Sequence, residues 1–211
     1  MTDPRTIQAN FRLILKGEIR RAEVVAARVL GIRKISVWEV LIPILFIFGF
    51  MQTRQRRDLF AQNLMFTKRR ALKGARDIRL KNISTEDVLT AFDAHCKELL
   101  KDERNRNVYS AQIQCHQRRE IELMLDHYLR LLDADGDCHD ALIQAAYPDA
   151  DQYRAYINDL MAIEDQALNA ARETLGNQAD RNALERLRKT SRAAYRNHAG
   201  RLYPQSAEKS S

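Results

Sequence analysis

Four prolines and seven glycines in 211 residues leave few places where the chain can turn sharply or where a tight β-turn can be built. No stretch alternates apolar and polar residues as a half-buried strand does. Three cysteines, widely spaced and without a CxxC pair, form no disulfide framework and point to a reducing compartment. No positively charged leader followed by an apolar core and a small-residue cleavage site opens the sequence, so no secretory signal is expected. Phosphate-loop, dinucleotide, nucleophile-elbow and zinc-protease motifs (GxxxxGK[ST], GxGxxG, GxSxG, HExxH) are all missing. These absences remove the catalytic classes that announce themselves by short motifs.

Acidic charge is scarce in one part only. Residues 1–83 carry 18 Lys and Arg against 6 Asp and Glu, a net of +12, whereas residues 84–211 carry 17 against 22, a net of −5. The same basic part holds the one long apolar run, Ile35–Met51, in which 11 of 17 residues are Ile, Leu, Val or Phe. As a straight helix this run would rise about 25 Å, short of the ~30 Å hydrocarbon core of a bilayer. Pro43 interrupts it and Gly49 lies near its end. Six Lys or Arg lie within 20 residues on each side, so the positive-inside rule gives no orientation. A helix–break–helix that enters a membrane and returns is the expectation, ahead of a short single span and of a buried core helix. Trp38, Leu41, Ile42, Pro43, Leu45, Phe46, Phe48 and Phe50 would anchor it. Arg33, Lys34, Arg54, Arg56, Arg57, Lys68, Arg69 and Arg70 would meet anionic headgroups.

What is abundant is helix pattern. Residues 4–31 place Ile7, Phe11, Ile14, Val25 and Val29 near one stripe, with Gly31 as a stop. Residues 52–80 form a second basic amphipathic segment. "NISTEDV" starts a third helix, with Ser84 able to cap and Asp87 at the reciprocal position. Helices are predicted over 85–104, 107–132, 138–146, 149–176 and 179–200, separated by "DADGD" at 133–137, by "YPD" at 147–149 and by Gly176. The expected fold class is all-α: a membrane-associated apolar helix or helical hairpin flanked by basic amphipathic helices, then a small helical bundle. Its expected divisions are a membrane-anchoring region over 1–83, a bundle with a basic C-terminal helix over 84–200, and a disordered tail over 201–211. Residues 84–176 are expected to fold as a separate unit.

Three Cys–His neighbours occur, at His95–Cys96, Cys115–His116 and Cys138–His139. Adjacent helical residues point about 100° apart and so do not readily share one metal. Cys96 falls in register with Leu89 and Phe92, and Cys115 with Ala111 and Leu125, so both are expected in the core. The remaining metal candidates are His116, Glu120, His127 and Glu164, without the Glu-x-x-His pairs of a di-metal bundle. "DADGDCHDALIQ" fails as a calcium loop, with Gly at its fourth position and Gln144 at its twelfth. No resident cofactor is expected.

The reading these features favour is a non-catalytic, membrane-associated helical adaptor or scaffold at the cytoplasmic side of a membrane. Its partners would be a bilayer with anionic headgroups and a protein or a second copy of the chain. The first alternative is a metal-dependent helical-bundle enzyme at the membrane surface, using His116, Glu120, His127 and Glu164. The second is a nucleic-acid-binding helical protein using residues 52–81 or the C-terminal cations, among them Arg181, Arg186, Arg188, Lys189, Arg192, Arg196 and Arg201.

Overall fold

The computed structural model describes residues 2–30, 64–101, 109–176 and 181–204. Among these the chain is all-α, with seven helices: α1 (Pro4–Leu30), α2 (Phe66–Lys81), α3 (Thr85–Lys101), α4 (Ala111–Asp133), α5 (His139–Ala146), α6 (Ala150–Leu175) and α7 (Arg181–Leu202). No helix among the described residues is long and apolar enough to cross a membrane. The apolar run 35–51 lies outside the described residues, and so do all eight of its proposed anchors, Trp38 to Phe50, and the flanking cations Arg33, Lys34, Arg54, Arg56 and Arg57.

Local chemistry sets the helix starts. Pro4 stands at the first position of α1, where its missing N–H costs nothing. Before α3, the Ser84 hydroxyl accepts from the Asp87 N–H at 3.1 Å, and the Asp87 carboxylate accepts from the Ser84 N–H at 2.8 Å, a complete capping box. Ser110 caps α4 by accepting from the Ile113 N–H. That cap makes the helix begin later than the predicted residue 107, because its last unpaired donors are satisfied there. The Asp149 carboxylate caps α6, and Gly176 ends it with φ +53°, a backbone setting that glycine adopts without strain.

α4 is the axis of the fold. It packs against α1, α2, α3, α5 and α6, while α7 closes against α1 and α6. Its inward residues Ile121, Met124, Leu125, Leu131 and Leu132 are sealed from solvent. They share one core with Ile7, Phe11 and Ile14 of α1 and with Ala71, Leu72 and Ala75 of α2. A second, smaller cluster joins Ala22, Val25, Ala26 and Val29 of α1 to Met65 and to Leu187 of α7. Residue 83 is therefore a boundary of charge and not of packing. The expectation of a separate 84–176 bundle gives way to a core built from both sides of that boundary.

Two further expectations change. Cys96 is fully buried as predicted, but Cys115 is exposed, because α4 turns Ile113, Glu120, Ile121 and Met124 inward instead of the Ala111–Cys115 register. Residues 201–204 are not a loose tail. Leu202 is buried, and the Tyr203 hydroxyl donates to the Tyr147 carbonyl at 2.6 Å.

α1 and α5 approach closely at Gly17. A Cβ placed there would lie 2.2 Å from Nδ1 of His139, 2.4 Å from its Cγ and 2.7 Å from its Cβ. Rotating the imidazole cannot relieve the last of these contacts. Alanine in mid-helix gains about 1 kcal/mol over glycine, but overpacking of this kind costs about 1–3 kcal/mol or more. Gly17→Ala is therefore expected to lower the chemical-denaturation midpoint, and His139→Ala in that background to recover only part of the loss, because it removes the two ring contacts and keeps the Cβ one.

Candidate ligand-binding site

The interior holds more charge than a small helical fold needs for stability. Glu18, on the buried stripe of α1, receives Nζ of Lys68 at 2.9 Å and a guanidinium nitrogen of Arg21 at 2.5 Å. Burial pushes the Glu18 carboxyl up, but Arg21 and Lys68 outweigh it and hold the group well below the usual carboxylate range. Lys68 also lies over the Tyr195 ring at 5.1 Å. Its placement corrects one expectation: Lys68 is an internal cation and not a headgroup contact. Arg69 is exposed. Arg70 lies over Phe66 at 4.7 Å, half-buried.

Above this ion pair α1, α2, α4, α6 and α7 line an open-mouthed cavity of about 580 Å³. Its walls are apolar, with Val25, Ile113, Met161, Leu168, Ala171 and Leu187 among them. Besides Asp165, two carboxylates line it from adjacent helices. Glu120 of α4 accepts from the Thr67 hydroxyl at 2.7 Å, and Glu164 of α6 accepts from the Tyr195 hydroxyl at 2.6 Å. Burial first, and then the Glu164 charge, raise Glu120 to about 7, and burial raises Glu164 as well. The pair thus holds an extra proton near neutrality, because Lys68 is engaged by Glu18 and cannot neutralise both. Arg69 and Lys73 stand at the mouth, and neither makes an ion pair among the described residues. Arg188 and Arg192, also at the mouth, both bind Asp165.

Of the four metal candidates, the cavity gathers Glu120 and Glu164 and leaves out the two histidines. His127 is sealed among tyrosines. Its ring stacks on Tyr156 with centroids 4.1 Å apart, and its Nδ1 lies 2.9 Å from the Tyr147 hydroxyl. Burial holds its pKa well below the ordinary histidine value. His116 is half-buried elsewhere on α4. Among the described residues no group of three or more His, Cys, Asp or Glu is placed to hold a metal ion.

Glu18 went unread in the sequence, although it occupies a core position in the series Ile7, Phe11, Ile14, Glu18, Val25. Lys68 does the same in the series Met65, Lys68, Leu72, Ala75. A charge on an apolar stripe was the available signal. Glu164 did carry it, standing in the apolar register of α6.

Compared with known protein families, with curated proteins and with solved structures, the chain matches none.

The raised pKa of Glu120 has a testable sign. In the unfolded chain the carboxyl ionises near pH 4.5, and in the folded protein near 7. Its contribution to stability is complete below the first value and is lost as pH rises through the second. Glu120→Gln is therefore expected to flatten the fall in melting temperature between pH 5 and 8, read by circular dichroism. Equal slopes in both proteins would contradict the assignment.

Proposed function

We propose that this chain is a non-catalytic binding module held at the cytoplasmic face of a membrane, and that the cavity over Glu120 and Glu164 takes the apolar body of a small amphiphile. The cavity carries this reading. Its volume lies in the ~300–1,000 Å³ range of small-molecule sites, and it combines apolar walls with a few convergent polar groups. The protonated carboxyl of the pair can donate a hydrogen bond at neutral pH, while Arg69 and Lys73 favour an anionic group at the mouth.

Membrane association draws support from the apolar run Ile35–Met51 and from the helices on either side of it in sequence. α1 exposes Arg12, Lys16, Arg20 and Arg28, and α2 exposes Arg69, Lys73 and Lys81. Such faces suit anionic headgroups. The middle of α7 offers less to an outside partner, since Arg188 and Arg192 are engaged by Asp165.

The test uses 1-anilinonaphthalene-8-sulfonate, an apolar fluorophore with one anionic group, titrated into the full-length chain. Saturable one-to-one enhancement is expected. Ala167→Trp, which places an indole at the cavity wall, should abolish it with the melting curve unchanged. Enhancement that never saturates, or that survives Ala167→Trp, overturns the reading.

A further inference from the structure

On the other side of α1 a second cleft, about 410 Å³, separates α1 from α7 and from the start of α5. We infer that this cleft is a phosphate-binding site, its ligand gripped by Arg20 and Arg28 of α1 with Arg201 of α7. The inference is independent of the cavity reading.

Three elements present their polar groups to the same space. On α1, Arg20 and Arg21 follow Gly17 by three and four residues, Val24 follows them by four and three, and Arg28 follows Val24 by four, so the five form one face. On α7, Ala194, Asn197, His198 and Arg201 do likewise. Arg20 and Arg28 are about 12 Å apart along the axis, a span that two long side chains can close over a tetrahedral anion. Both are exposed, and neither makes an ion pair among the described residues. α5 starts in the cleft with Cys138 at its N-cap and no side-chain cap there, so its first-turn N–H groups add positive potential.

The charges do not cancel locally. Arg21 forms the floor and is paired with Glu18, its Nε buried without a partner. His139 and His198 accept hydrogen bonds from Arg21, at 3.3 and 3.1 Å, and burial followed by the Arg21 charge depresses both. They are neutral at pH 7. Among the described residues Asp140 is the one carboxylate that lines the cleft, held by His198 and Arg201. Arg20, Arg28 and Arg201 against Asp140 leave two positive charges, which matches the dianion of a phosphomonoester at neutral pH. Guanidinium is the side chain best suited to paired hydrogen bonds with phosphate oxygens.

A phosphate of this kind can belong to a soluble metabolite or to a lipid headgroup. The experiment titrates the full-length chain by calorimetry with inorganic phosphate and with glycerol 3-phosphate. A separate arm measures recruitment to phosphatidylcholine vesicles with and without phosphatidic acid. Saturable one-to-one binding of at least one phosphate probe is expected, weakened at least about ten-fold by Arg20→Gln with Arg28→Gln, the loss of a charge-assisted contact or more. Lys97→Gln with Arg119→Gln, exposed on α3 and α4 and outside the cleft, should change it by less than about two-fold. Loss of glycerol 3-phosphate binding in the Arg20/Arg28 variant assigns a soluble ligand, and loss of phosphatidic acid-dependent recruitment assigns a headgroup. The inference fails if no probe saturates, if the Arg20/Arg28 variant binds as the parent does, or if the Lys97/Arg119 control loses as much.

Discussion

Deleting residues 1–83 is expected to leave residues 84–211 without a cooperative unfolding transition. The deletion removes α1 and α2, and with them Ile7, Phe11, Ile14 and Leu72, four large side chains of the main core at 9% exposure or less. Truncating one such residue costs about 2–5 kcal/mol. The four together approach or exceed the ~5–15 kcal/mol by which a whole domain is stable. The deletion also uncovers the inner face of α4, where Ile121, Met124 and Leu125 are buried. A urea titration followed by circular dichroism should give a broad, shallow change, and the fragment should bind hydrophobic dye without saturation. A sharp transition with the slope expected for 128 residues would mean that the charge boundary at residue 83 is a folding boundary after all.

Glu18→Gln is expected to be the most damaging single substitution at a polar position. It keeps size and removes the charge that Arg21 and Lys68 share. Breaking a buried pair by removing one partner costs about 3–5 kcal/mol, because the remaining charges stay where water cannot reach them. The loss should itself depend on pH. The folded Glu18 pKa is depressed, so its contribution is present above the unfolded carboxylate value of ~4.3 and disappears as pH falls below it. Parent and variant melting temperatures should differ widely at pH 6 and converge toward pH 3. Lys68→Met in the Glu18→Gln background tests the mechanism. Replacing the stranded ammonium with an apolar chain should recover stability, whereas in the parent it should reduce it.

Helix positions were legible wherever a cap or a breaker stood in the sequence. Ser84 with Asp87, the turn at 133–137 and Gly176 each end or start a helix as the pattern predicts. The stripe of α1 and the burial of Cys96 were legible for the same reason, a period that matches the helix. The partnership of the stripes was not. Nothing in the pattern of α1 says that its apolar face meets α4 and α5 more than a hundred residues away, since any apolar surface would satisfy it equally. A shift from basic to acidic composition was read as a change of domain, yet surface charge is set by exposed faces and is silent about what the inner faces touch. The cavity was half legible. Glu164 and Glu120 were singled out as acids, one on an apolar register. Glu18 and Lys68 were hidden in a segment so basic that every cation resembled a surface residue.

Asn10 donates its side-chain amide to the carbonyls of Leu132, at 3.1 Å, and of Ala134, at 2.8 Å, across 122 and 124 residues of chain. A ribosome adds about 5–20 residues per second. From the appearance of α1 to the emergence of residue 134, the stripe Ile7–Phe11–Ile14 waits on the order of five to twenty seconds for α4, with only α2 of its own core partners to bury against. The apolar run 35–51 emerges during that same interval. The nascent chain is therefore at its greasiest before its axis exists, and whichever surface first covers α1, a chaperone or a bilayer, does so ahead of the fold.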